Sequence, residues 1–135
     1  METLRQRLQR HEGLRLRPYK CTAGKLTIGF GRNIEQKGIS EEEAFMLLDN
    51  DIQAVKEAVA HSLPWALGLD EARRDVLHEM AFQMGIQGLL GFKNTLAAIR
   101  DHKWHVAAQG MRNSKWHEQT PARANELADI MENGN

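Results

Sequence analysis

With 135 residues the chain has the length of one domain and can bury roughly two-thirds of its unfolded surface, so no staple is needed for it to fold. A single cysteine excludes an intrachain disulfide and a multi-cysteine zinc site. Eighteen basic residues are balanced by 18 acidic ones, so overall charge does not argue for a polyanionic partner such as nucleic acid. The balance is uneven along the chain. Residues 1–25 hold Arg5, Arg7, Arg10, Arg15, Arg17, Lys20 and Lys25 against Glu2 and Glu12, a local excess of five positive charges. Such a run reads as a solvated basic face or as a surface for an anionic polymer.

The opening residues METLRQRLQRHEG have no apolar run long enough for a signal segment or a membrane span, and the expectation is a chain made in the cytoplasm without membrane insertion. Leu4 and Leu8 stand four apart and Gly13 follows Glu12, which predicts a short helix over 3–12 closed by glycine. From Leu14 to Arg32 apolar residues alternate with arginines, TAGK offers a turn, and LTIGFG combines β-branched, aromatic and glycine residues. This predicts a twisted antiparallel hairpin or three-stranded sheet, with the glycines marking a close approach of backbone or ligand.

Ser40 and Glu43 form a capping-box pattern that opens a long helix, along which Ala44, Leu48, Ile52, Val55 and Val59 make a stripe. Leu63-Pro64-Trp65 ends it. Asp70 is expected to cap a second helix with Val76, Leu77, Met80, Ala81 and Met84 on one face, running to Gly85. Short helical patterns follow, and Thr120-Pro121 predicts a capped last helix to about Met131. The expected class is α+β, mostly α. A small β lobe over about 13–34 and a connecting helix over about 40–60 accompany a helical lobe formed by about 1–12 and 60–135.

Two charges oppose their own helices. Glu12 sits in a last turn, where the macrodipole disfavours a negative charge by roughly 0.3–1 kcal/mol. Helix stability therefore does not account for it, and the placement suits either a general acid or a glutamate paired with an arginine. Arg123 carries a positive charge in the first turn of the last helix, so one of the two could partner the other. His102 and His105, three apart, could share a helix face, with no acidic or cysteine partner at metal spacing, and an exposed pair is expected.

The segment HEGLRLRPYKCTAGKLTIGFGRN resembles the phage-type lysozymes, or endolysins, of glycoside hydrolase family 24. The family pattern is Glu, eight residues, Asp or Cys, five residues, Thr, and Glu12, Cys21 and Thr27 stand at those intervals, with Cys in the place of an aspartate. AFQMGIQGLLGFKNTL at 81–96 is similar to the family's central helix, and SKWHEQTPARA at 114–124 to its Trp, Gln-Thr-Pro, Arg signature. The resemblance implies a lysozyme-like fold with a glycan-binding cleft and hydrolysis of the β-1,4 bond between N-acetylmuramic acid and N-acetylglucosamine in peptidoglycan. It implies Glu12 as proton donor, Arg123 as its partner, and Thr27 as a holder of the attacking water. Phe82 and Gln83 would approach the cleft from the helical lobe. No cofactor or metal is implied, and the chain would act as a monomer that depends on a holin to reach the wall.

Each of these residues also has a plain structural reading: Thr27 as a strand threonine, Phe82 and Trp116 as core, Gln119 and Thr120 as cap residues, Tyr19 as packing for the hairpin. Cys21 is the departure that matters. An unperturbed thiol, with a pKa near 8.5, is only about 3% thiolate at pH 7. Lys20 and the basic segment favour the thiolate, and burial would oppose it. The thiolate could act as a base with inversion, as a nucleophile with retention, or not at all in a chain that binds glycan without cutting it. Arg32 stands where a histidine is familiar in the family, so a histidine salt bridge is not carried over.

Overall fold

The computed structural model describes residues Met1–Asn135 and resolves into two compact units, Met1–Leu47 and Leu48–Asn135. The expected mostly-α, α+β class is met: eight α-helices accompany one three-stranded antiparallel sheet.

In the first unit, helix α1 spans Leu4–Glu12. It opens with a capping box in which the Thr3 hydroxyl accepts from the Gln6 amide at 3.1 Å and the Gln6 side chain accepts from the Thr3 amide at 2.9 Å. It closes at Gly13, whose φ of +70° few other residues adopt. Strands β1 (Arg15–Lys20), β2 (Leu26–Gly29) and β3 (Arg32–Asn33) follow in sheet order, so the three-stranded alternative is the one found. The β1–β2 register shifts between Arg15 and Tyr19. Pro18, which has no amide to donate, lies inside that irregular stretch. Tyr19 lies under the Arg15 guanidinium, 4.5 Å from ring centroid to cation. A one-turn helix α2 (Ile34–Lys37) is capped by the Asn33 side chain.

Helix α3, Glu41–Ser62, starts where the capping box predicts: the Ser40 amide donates to Glu43 Oε1 at 2.8 Å and the Glu43 amide to Ser40 Oγ at 3.1 Å. Of its apolar stripe only Val59 is fully buried, while Leu48 and Ile52 are exposed. Pro64 ends it and opens a short 3-10 helix, Pro64–Gly68.

The second unit holds the apolar core. Helix α4 (Glu71–Leu90), capped by Asp70, contributes Val76, Leu77, Met80, Ala81 and Leu89. The regular helix breaks at Gly85 as predicted: that glycine takes φ +78° and ψ +162°, outside helical geometry, and a second helical stretch follows it to Leu90. Helices α5 (Lys93–Arg100), α6 (Trp104–Arg112), α7 (Lys115–Gln119) and α8 (Pro121–Asn133) complete the unit, and α8 packs against α4, α6 and α7. Arg73 closes the far end of α8, donating from Nε to Met131 O at 2.7 Å and from a terminal nitrogen to Glu132 O at 3.0 Å.

Two expectations are corrected. Thr120 stands at the N-cap of α8 but makes no capping bond, because its hydroxyl donates backwards to Trp116 O at 3.2 Å. His102 and His105 are both exposed, as expected, but do not share a helix face: His102 occupies a turn with φ +59° and stacks on Trp104, whereas His105 lies on α6 beside Glu132.

Candidate active site

In the first unit, Glu12 ends α1, and its carboxyl lies against Gly31 in the β2–β3 turn. Glu12 is exposed and has no ion-pair partner there. Arg10, two residues earlier, is held instead by Glu2 through two 2.9 Å bonds.

Cys21 opens the turn between β1 and β2. Its amide donates to Lys25 O at 2.9 Å and its carbonyl accepts from Gly24 N at 2.8 Å, which bends the chain around the sulfur. The backbone amide of Lys25, and then that of Ala23, point at the thiol and push its pKa down. Partial desolvation opposes this, and the Thr27 hydroxyl adds to the lowering. The cause is therefore an amide nest around the sulfur. The neighbouring Lys20 charge, which the sequence suggested, is not among the causes.

Thr27, on β2, is the one buried residue of the first unit, 3% exposed, and its hydroxyl donates to Lys25 O at 2.8 Å. The plain reading of Thr27 as a packed strand threonine is met, and its hydroxyl is also close enough to Cys21 to be among the causes that lower the thiol.

Beyond the turn, Arg32 makes a fork–fork pair with Glu43, at 2.9 and 2.8 Å, and donates to Gly38 O at 3.2 Å. Glu43 is pushed down to about 2, first by Arg32 and then by the Ser40 backbone and hydroxyl. This arginine is the one that stands in the familiar histidine's place, and sequence reasoning identified Glu43 only as half of a capping box.

In the second unit, Glu79, Phe82 and Arg123 line an open groove, and Gln83 follows Phe82 on α4. The groove has a volume of about 450 Å³, with Leu48, Ile52 and Val55 along α3 and Phe82 supplying its apolar surface. Phe82 is 43% exposed, so it is not the core residue that its plain reading made it. Trp116 is buried, packs edge-on to Phe92 at 6.0 Å, and donates its indole N–H to Gln83 Oε1 at 2.9 Å. That bond fixes the Gln83 amide and leaves its N–H groups free to donate elsewhere.

The hydrogen-bond partner of Arg123 is Glu79, at 2.8 Å from Nε. A carboxylate brought in from α4 offsets the positive charge at the start of α8, which resolves the dipole conflict. Glu79 was not singled out in the sequence, although its spacing from Phe82 puts the two on one helix face.

A family model described as phage lysozyme matches residues 9–129. The chain is 28% identical to "Probable T4-type lysozyme 1" of Dictyostelium discoideum over 163 aligned positions, covering 99% of this chain and 96% of that protein. It is 31% identical to "Pre-baseplate central spike protein Gp5" of Enterobacteria phage T4, across 95% of this chain but 27% of the larger protein. A 45-residue stretch is 51% identical to "Peptidoglycan hydrolase gp36" of Pseudomonas phage phiKMV, covering 33% of this chain and 5% of that one. Because that family model spans nearly the whole chain, from residue 9 to residue 129, the chain belongs to the phage lysozyme family.

Proposed function

We propose that the protein is a muramidase that hydrolyses the β-1,4 bond between N-acetylmuramic acid and N-acetylglucosamine in bacterial peptidoglycan, in the service of phage-mediated lysis of the host. The observation that carries the reading is the turn that sets Cys21, with its depressed pKa, against the Thr27 hydroxyl, at the family's spacing from Glu12. Glu12 gives its proton to the leaving glycosidic oxygen as the C1–O bond breaks. The Cys21 thiolate takes a proton from a water that Thr27 helps to hold, and that water's oxygen bonds to C1 with inversion. Solvent then restores the proton to Glu12 and removes the one on sulfur.

Direct attack by sulfur would instead retain configuration through a thioglycosyl intermediate, and product stereochemistry separates the two. Phe82 offers an apolar face to a sugar ring, Gln83 its free amide N–H groups, and Arg123 a positive charge toward the substrate side. No cofactor enters this scheme.

The substrate partner is the glycan strand, reached as a monomer after a holin-type partner has permeabilised the membrane. No helix of the structure is long and apolar enough to cross a membrane. The similarity to a central spike protein favours a second reading, in which the same chemistry belongs to a virion-associated protein; a peptidoglycan-binding protein without catalysis is the non-enzymatic alternative.

Dye release from labelled sacculi tests the catalytic reading. Glu12→Gln should abolish release, and complete alkylation of Cys21 by iodoacetamide should do the same. Because the thiol is depressed, activity should rise with pH through a value below the ordinary thiol range, and Thr27→Val should move that limb upward. Full release after complete alkylation would remove Cys21 from the mechanism.

A further inference from the structure

The β2–β3 hairpin pairs Ile28 with Arg32 and so leaves a three-residue loop, Gly29-Phe30-Gly31. Both glycines have positive φ, +70° and +75°, and backbone conformation alone would account for glycine at either position. The space around them separates the two. A methyl group added at Gly29 would meet no heavy atom within 4 Å. One added at Gly31 would stand 2.5 Å from Glu12 Oε2, 2.9 Å from Cδ and 3.3 Å from Cγ. The carboxyl end of Glu12 therefore rests over Gly31 at a range that only a missing side chain allows.

The next residue pins this loop. Arg32 forks onto Glu43 at 2.9 and 2.8 Å and bonds Gly38 O at 3.2 Å, so the strand leaving Gly31 is tied to the start of α3. One side of the Glu12 carboxyl is thus bounded by a backbone that is itself anchored.

We propose that Gly31 is a positioning residue for the proton donor: its bare Cα is the seat of the Glu12 carboxyl, and the Arg32–Glu43 clamp holds that seat in place. The proposal rests on the reading of Glu12 as the donor. A misplacement of about 1 Å can cost on the order of a hundredfold in rate, so a modest displacement of the carboxyl should be visible in turnover.

Gly29→Ala and Gly31→Ala share the cost of a positive φ and differ in what the methyl meets, which makes them a matched pair. Steady-state turnover on solubilised glycan strands should show kcat of Gly31→Ala about tenfold or more below that of Gly29→Ala, with KM nearly unchanged. The carbon-13 resonance of the Glu12 carboxyl, assigned by its loss in Glu12→Gln, should shift its titration in Gly31→Ala and not in Gly29→Ala. If Gly31→Ala does not fold, Gly31→Asn beside Gly29→Asn keeps the Cβ on a residue that tolerates positive φ.

Equal kcat and equal titration in the two variants would overturn the seat. Should Glu12→Gln prove fully active, the donor reading fails on its own, and the resonance alone decides. A shift confined to the Gly31 variant upholds the seat, and its absence overturns it.

Discussion

The two units are held together by different physics. From Val59 onward the chain buries a continuous apolar set that includes Leu77, Met80, Leu89, Ile99, Met111 and Met131, all 1% exposed or less. Between Met1 and Leu47 only Thr27 is buried, and order comes from polar devices. These are two capping boxes, the Arg32–Glu43 fork, the Arg10–Glu2 pair and glycines in left-handed turns. The unit with the packed core carries Phe82, Gln83 and Arg123, whereas the polar-locked unit carries Glu12, Cys21 and Thr27. Hydrogen bonds fix direction more sharply than apolar contact does, which suits the role proposed for Glu12 and Cys21.

That contrast predicts unequal responses to substitution. Leu77→Ala should lower the stability of the second unit by about 2–5 kcal/mol, read by denaturant unfolding, because the cavity adds to the lost transfer energy. Leu16→Ala, at a position 79% exposed on β1, should stay within about 0.5 kcal/mol; a comparable loss there would erase the distinction.

A smaller effect is expected at the polar locks. Ser40→Ala removes the acceptor for the Glu43 amide and should cost about 1 kcal/mol, seen as faster hydrogen exchange of the amides that open α3. Unchanged exchange would mean that the box does not hold this end.

Acid should act on the first unit through Glu43. Its folded value of about 2 lies below the ordinary 4.5, so what the pair contributes is complete above pH 4.5 and is lost as the pH falls toward 2. Arg32→Met should flatten this window in the exchange rates of β3 and the start of α3. An unaltered acid response in that variant would assign the loss to other carboxylates.

Much of this architecture could be read before any coordinates. Capping boxes and proline breaks are local signals, and they placed α3 and its end correctly because the groups that make them lie within a few residues. Thr120 misled for a complementary reason. Its hydroxyl has one proton and two possible tasks, and the carbonyl of Trp116 behind it won over the capping role. Gly85 did not mislead: the regular helix breaks there, at φ +78° and ψ +162°, and what the sequence did not show is that a second helical stretch follows at once.

At the site, the Glu12, Cys21 and Thr27 spacing was legible, and the environment of each was not. The amides of Lys25 and Ala23 lower the thiol's pKa through turn geometry, not through residue type, so no inspection of side chains could have found them. Glu79 beside Arg123 and Gly31 beneath Glu12 depend on contacts 44 and 19 residues apart along the chain. Long-range pairings of that kind are set by the fold.

The most direct test of the central claim is mass spectrometry of the fragments released from purified peptidoglycan, with Glu12→Gln alongside. The account predicts fragments ending in reducing N-acetylmuramic acid, absent from the variant. Anhydromuramic ends, or no release at all by the intact protein, would contradict it.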